Sequence, residues 1–129
     1  MRIGEAAAAV GMTVKALRFY EERGLLPAVR RTRSGYREYS AETVNRLEFI
    51  QRSKNAGFSL AQTQEILRIR DTGNSPCSHV RDELGVQLAH LDQQIAELTA
   101  LRTAVAEHYQ AIATVEPADC DPGRICSYL

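Results

Sequence analysis

From Leu84 onward, nine positions recur at alternating spacings of four and three residues: Leu84, Leu88, Leu91, Ile95, Leu98, Arg102, Val105, Tyr109 and Ile112. Eight of the nine are apolar or aromatic. That alternation is the heptad seam of a coiled coil. A helix that starts near Cys77 and carries the seam runs about 35 residues, or roughly 50 Å. The stripe is too long to be covered by the remainder of so short a chain. Packing against the chain's own head is one reading; a two-stranded coiled coil, and hence a homodimer, accounts for the pattern better. The seam leaves parallel and antiparallel pairing open. Arg102 disfavours an in-register parallel pair, in which two arginines would meet in the core.

The overall formal charge is zero, which at first argues against a nucleic-acid partner. The charges are segregated, however. Residues 1–71 contain 13 Lys/Arg against 8 Asp/Glu, and residues 72–129 contain 3 against 8. Arg30, Arg31, Arg33 and Arg37 fall within eight residues. A basic head of this kind is the electrostatic footprint of a DNA-binding domain. No run of 18 apolar residues exists and the N-terminal MRIGEAAAAVG carries Glu5, so neither a membrane span nor a signal peptide is expected. The expected location is cytoplasmic, where thiols stay reduced.

Within the head, residues 3–10 read as a helix with Ile3, Ala7 and Val10 on one face, broken at Gly11. Thr13 caps a second helix with Lys15, Arg18 and Tyr20 near its start, and Gly24 stops it. Two short helices joined by a glycine turn form a helix-turn-helix. LLPAV, residues 25–29, leads into a basic hairpin, RRTRSGYR, whose turn is Ser34-Gly35, with Tyr36 and Tyr39 as strand formers. A helix with a basic N-terminal half beside a basic ribbon is suited to duplex DNA: the helix enters the major groove and the ribbon holds phosphates. Ser40 caps a third helix with Val44, Leu47, Ile50 and, as a weaker member, Lys54 at helical spacing. Ser59-Leu-Ala-Gln62 is a capping box for a fourth with Ile66 and Leu67 inward, and residues 71–76 form a linker.

Three cysteines, an odd number in a reducing compartment, point to ligands or free thiols rather than disulfides. Cys77 opens the long helix. Cys120 and Cys126 lie in the Pro- and Gly-containing tail after it. Within one chain the rod separates them. In an antiparallel dimer, Cys77 of one subunit meets Cys120 and Cys126 of the other. Three converging thiolates make a soft-metal site. The spacing lacks the C-x2-C pair of a zinc ribbon and offers too few cysteines for a four-cysteine iron–sulfur cluster. Incidental thiols are the competing reading. His79 is a candidate extra ligand, though a solvated histidine at a helix start is commoner. His90 and His108 lie off the seam and read as surface residues. No Gly-rich phosphate loop, H-E-x-x-H or G-x-S-x-G is present. Glu21-Glu22 reads as a solvated face rather than an acid/base pair, and no enzymatic activity is expected.

The segments LRFYEERGLL, RTRSGYREY and RLEFIQRSKNAGFSL closely resemble the MerR family of bacterial transcription activators, and the resemblance extends along the long helix to the cysteine-bearing end. It implies a mainly α fold. A winged helix-turn-helix domain with a helix pair occupies 1–71, an antiparallel coiled-coil dimerisation helix 76–113 and a metal-binding loop 114–129. It implies a homodimer on a palindromic promoter operator in double-stranded DNA. Effector binding distorts the duplex so that RNA polymerase engages both promoter elements. By position it gives DNA contacts to Thr13, Lys15, Arg18 and Tyr20 on the recognition helix and to Arg31, Tyr36 and Arg37 on the wing. Packing behind the helix is the alternative for Tyr20. It gives metal ligation to Cys77, Cys120 and Cys126. In this family a cysteine at the start of the long helix accompanies divalent inducers and a serine accompanies Cu(I). The expected effector is therefore a thiophilic divalent ion, Hg(II) first, with Cd(II), Pb(II) or Zn(II) as alternatives. The chain departs from the family in having Ile112 where the first loop cysteine is usual, with Cys120 eight residues later and a shorter Cys120–Cys126 interval. A thiol-redox-sensing regulator on the same scaffold and a cytosolic metal-binding protein are the two other readings of these residues.

Overall fold

The computed structural model describes residues 1–27 and 30–129. Ala28 and Val29, the end of the LLPAV lead into the hairpin, lie outside the described residues, as does the side chain of Arg30. The elements in chain order are α1 (Ile3–Ala9), α2 (Val14–Glu22), β1 (Arg30–Arg31), β2 (Arg37–Glu38), α3 (Ala41–Asn55), α4 (Leu60–Asp71), α5 (Cys77–Ile112) and a short 3-10 turn, Pro117–Asp119. The chain divides into two units, Met1–Gln87 and Leu88–Leu129. The boundary falls inside α5, so the first turns of that helix belong with the head.

The helix starts are set by side chains that accept otherwise unpaired backbone N–H groups. Thr13 Oγ1 accepts from Ala16 N–H at 3.1 Å, and Ser40 Oγ from Thr43 N–H at 3.3 Å. Ser59 and Gln62 form the reciprocal capping box, each side chain accepting from the other's backbone N–H at 3.2 and 2.8 Å. β1 and β2 pair antiparallel, Arg30 opposite Glu38 and Arg31 opposite Arg37. Their turn needs a residue in the left-handed region, and Gly35 takes it at φ +85°.

The head packs Ala6 and Ala7 of α1, Leu17 of α2, Leu25, Leu26, Tyr39, Leu47 and Ile50 of α3, and Leu67 of α4 into one buried cluster. The expected α3 face is corrected in part. Leu47 and Ile50 are buried, but Val44 is only half-buried and Lys54 is exposed. The other buried α3 positions are polar: Thr43, Arg46 and Ser53. Apolar periodicity cannot see them: Thr43 bonds the Ser40 cap, and Arg46 and Ser53 are satisfied by partners from elsewhere in the chain. Arg46 donates to the Leu25 carbonyl at 2.8 Å and forks onto Asp71 at 2.7 and 3.2 Å. Ser53 and Thr63 share a 2.6 Å hydrogen bond between α3 and α4. Asp71 is thus the last residue of α4 and an anchor, rather than part of a linker.

The first turns of α5 join the head through polar contacts. Gln62 Nε2 donates to Glu83 Oε2 at 2.7 Å, and Gln87 Nε2 to the Gly57 carbonyl at 3.3 Å. Gly57 sits at φ +80°, so the turn between α3 and α4 favours glycine; a Cβ there would lie 2.5 Å from Gln87 Nε2, the mobile end of a side chain that can move aside. α5 itself buries no residue. Its seam residues are 43–67 % exposed from Leu84 to Tyr109 among the large apolar ones.

Candidate nucleic-acid interface and metal site

The exposed edge of α2 and the wing enclose an open groove of about 750 Å³, lined by Arg2, Arg18, Glu21, Arg31, Tyr36 and Arg37 among others. Its lining holds four arginines against two glutamates, Glu21 and Glu22, so the groove is net cationic. The wing is fastened to the helix through one carboxylate. Glu21 accepts from Arg37 Nη1 at 2.7 Å and from the Tyr39 hydroxyl at 2.9 Å. The expectation that Glu21-Glu22 is merely a solvated pair is therefore corrected for Glu21, whose side chain is 18 % exposed. Burial, reinforced by the hydrogen bond and charge of Glu21, raises the Tyr39 phenol above its ordinary value; Arg37 acts in the opposite sense.

Of the expected DNA contacts, Arg18, Arg31, Tyr36 and Arg37 come together around this groove. Lys15 is exposed on the first turn of α2. Thr13 is the cap of that helix and is exposed beside it. Tyr20 is placed differently. It is partly buried against the core, edge-on to Phe19 with ring centres 5.5 Å apart, and it lines a separate depression with Ile50 and Phe58. The packing alternative fits its position. Sequence reasoning did not single out Arg2, Glu21 as a tether, or Tyr39 as the buried anchor of the wing. Tyr39 was legible only as a strand former.

The three cysteines are free thiols. Cys77 is the exposed first residue of α5 in the first unit. Cys120 and Cys126 belong to the second unit, in a tail that folds as a tight loop. Asp121 N–H donates to Ser127 Oγ at 2.8 Å, and Gly123 N–H to Asp121 Oδ1 at 2.8 Å. The Tyr128 hydroxyl donates to the Val115 carbonyl, and the Tyr128 carbonyl meets His108 Nε2. His108 is exposed, as expected of a surface residue, and faces the tail. Desolvation raises the Tyr128 phenol, and its nearness to Cys120, by charge and hydrogen bond, adds to the rise, with Cys126 contributing by charge. Among the described residues of a single chain, no three Cys, His, Asp or Glu side chains are placed to hold a metal ion. Cys120 and Cys126 thus lie in one loop, with Cys77 at the start of α5.

Among the described residues no helix is long and apolar enough to cross a membrane. Comparison with known proteins now places these features. The family model described as MerR HTH family regulatory protein matches residues 1–69, and the model described as MerR, DNA binding matches residues 44–108. The HTH-type transcriptional regulator HmrR of Rhizobium leguminosarum bv. viciae is 35 % identical over 120 residues, which is 93 % of this chain and 92 % of that protein. The mercuric resistance operon regulatory protein of Bacillus cereus is 36 % identical over 97 residues, 75 % of this chain and 74 % of that one. The crystal structure of the transcription regulator PbrR691 from Ralstonia metallidurans CH34 in complex with lead(II) superposes with a TM-score of 0.78 at 29 % identity. It covers 100 % of this chain and 96 % of that one. The cationic helix-and-wing groove is therefore that of a regulator and not of an enzyme, and the chain belongs to the MerR family of DNA-binding transcriptional regulators.

Proposed function

We propose that the chain is a metal-responsive transcription activator. It binds a palindromic promoter operator as an antiparallel coiled-coil homodimer in the cytoplasm and, with a thiophilic divalent ion bound, distorts the promoter so that RNA polymerase uses it. The observation that carries this reading is the placement of the free thiols. One is the first residue of a 36-residue helix and two lie in the folded loop that follows its last residue. Antiparallel pairing of the exposed seam sets the start of one helix beside the end of the other, which completes a site of Cys77 from one subunit with Cys120 and Cys126 from the partner copy.

When bound, such an ion supplies a soft Lewis acid that holds thiolates together. Hg(II) suits the set best, because two or three thiolates satisfy it. Zn(II) prefers four tetrahedral ligands and needs His79, an Asp or water besides. The relative that regulates a mercuric resistance operon and the lead(II)-bound relative both support a soft divalent ion, with Cd(II) as a further candidate. The chain's own residues do the rest. Cys77 opens a helix whose first turns are bonded to the head through Glu83–Gln62 and Gln87–Gly57. A displacement at Cys77 is thereby passed to the head as a body. Glu21 ties the wing to α2, so Lys15 and Arg18 in the major groove move together with Arg31, Tyr36 and Arg37 on the phosphates. Moving two such heads against a bound duplex changes its twist and bend, which is the regulated step.

The test is a promoter-reporter assay with a panel of Hg(II), Cd(II), Pb(II) and Zn(II), with operator binding measured in parallel. Serine at position 77, 120 or 126 is expected to abolish induction and leave operator binding intact. If all three variants still respond, the site assignment is wrong; sedimentation showing a monomer removes the dimer. The exposure of Cys126 keeps a redox reading in view. Loss of titratable thiols only under oxidant, with no metal retained on desalting, favours that reading.

A further inference from the structure

The start of the chain is folded into the wing. Tyr39 N–H donates to the Met1 carbonyl at 2.7 Å, so the first residues run alongside the segment that follows β2. The Arg2 carbonyl accepts from Ala6 N–H at 3.0 Å as α1 begins. The Arg2 backbone is fixed from both sides. Its guanidinium carbon then lies 4.1 Å from the centre of the Tyr36 ring.

This stack has no structural task that the core demands. Both side chains are exposed, Tyr36 at 52 %. Arg2 lines the groove together with Arg18, Arg31 and Arg37. Among the described residues only Arg37 of these four has a carboxylate within 4.0 Å, and that carboxylate, Glu21, is already shared with Tyr39. Glu22 lines the same groove without an ion pair to Arg2. The guanidinium sits over the Tyr36 ring, and among the described residues no carboxylate pairs with it. A planar fork of donors held that way matches the oxygens of a phosphodiester. A surface arginine without a platform has to be ordered when it binds, whereas this one is already oriented.

We propose that Arg2 is a phosphate-binding residue of the DNA interface, and that Tyr36 is the platform that aims it at the duplex backbone beside the wing. This rests on the reading of the groove as a DNA surface. It adds to that surface a residue that belongs to neither the recognition helix nor the hairpin.

The test is the salt dependence of binding by the full-length protein, measured by fluorescence anisotropy on a mixed-sequence duplex and on its own promoter duplex. A residue that neutralises one phosphate contributes about 0.9 to the slope of log affinity against log salt. Because the homodimer carries two copies of Arg2, Arg2→Ala is expected to flatten the slope by about 1.8, twice 0.9, on both duplexes, with affinities converging on the wild type near about 1 M salt. Arg2→Lys is expected to restore the slope, because the charge is kept. An Arg2→Ala slope equal to wild type overturns the assignment, including when affinity falls equally at every salt concentration, which is the signature of a structural role. An Arg2→Lys slope equal to that of Arg2→Ala overturns it as well. A wild type that binds neither duplex overturns the DNA reading itself. Should Arg2→Ala unfold, Arg2→Gln, which keeps a planar polar end group without the charge, reads the same slope.

Discussion

Glu21→Ala tests whether the recognition helix and the wing are one body. The substitution removes two bonds of unequal weight. The ion pair to Arg37 is short at 2.7 Å, but the Arg37 side chain is 49 % exposed. Solvent screens it, and it is worth about 0.5 kcal/mol. Tyr39 is 2 % exposed, and its hydroxyl loses a charged acceptor at 2.9 Å. Leaving that hydroxyl without a partner costs about 1.5 kcal/mol. The sum is about 2 kcal/mol, equivalent to roughly 10 °C in Tm for a domain the size of the head. The assay is urea unfolding at fixed protein concentration, with a lower midpoint and an unchanged m value expected. Double-mutant cycles divide the loss. Glu21→Ala with Tyr39→Phe should show a coupling of about 1.5 kcal/mol, and with Arg37→Ala about 0.5 kcal/mol. A coupling to Tyr39 smaller than the coupling to Arg37 refutes the reasoning. So does a Glu21→Ala variant as stable as the wild type, because the tether would then be a surface contact only.

Two further outcomes follow from the same unit. Gly57→Ala should destabilise the protein by about 1–2 kcal/mol through the left-handed backbone alone. Most of that loss should persist in a Gln87→Ala background, since the clash at 2.5 Å is with a flexible amide end; thermal unfolding of the single and double variants checks it. At alkaline pH, Tyr39 should contribute a loss of stability. Its folded-state pKa is raised above 10.0, so the unfolded chain ionises first, and the stabilisation present below that pH disappears as pH rises through the folded value. Urea midpoints measured from about pH 9 to about pH 11 should fall less steeply in Tyr39→Phe than in the wild type.

The helix boundaries were readable because they are local chemistry. Thr13, Ser40 and the Ser59–Gln62 pair are short-range caps, and the structure places helix starts after each. α5 begins at Cys77, two turns before the heptad seam opens at Leu84, and ends at Ile112, the last seam position. The recognition helix and the wing hairpin were readable for the same reason. The α3 face was misread at Val44 and Lys54 because hydrophobic spacing treats every polar residue as solvent-facing. Arg46 and Ser53 are buried because partners distant in sequence, Leu25, Asp71 and Thr63, complete their hydrogen bonds.

The sequence by itself determined the elements, the basic head, the apolar seam and the separation of one cysteine from the other two. These depend on periodicity and on neighbours a few residues away. Only the tertiary structure decided which polar groups are partners. Glu21 became the fastening between helix and wing, Tyr20 a residue packed against the core, and Arg2 a member of the cationic groove. Each of these roles rests on hydrogen bonds, stacking or packing between segments brought together by chain folding. A hydrogen bond or a stack acts over a few ångströms in space, whatever the separation along the chain, so no local pattern of residues records it.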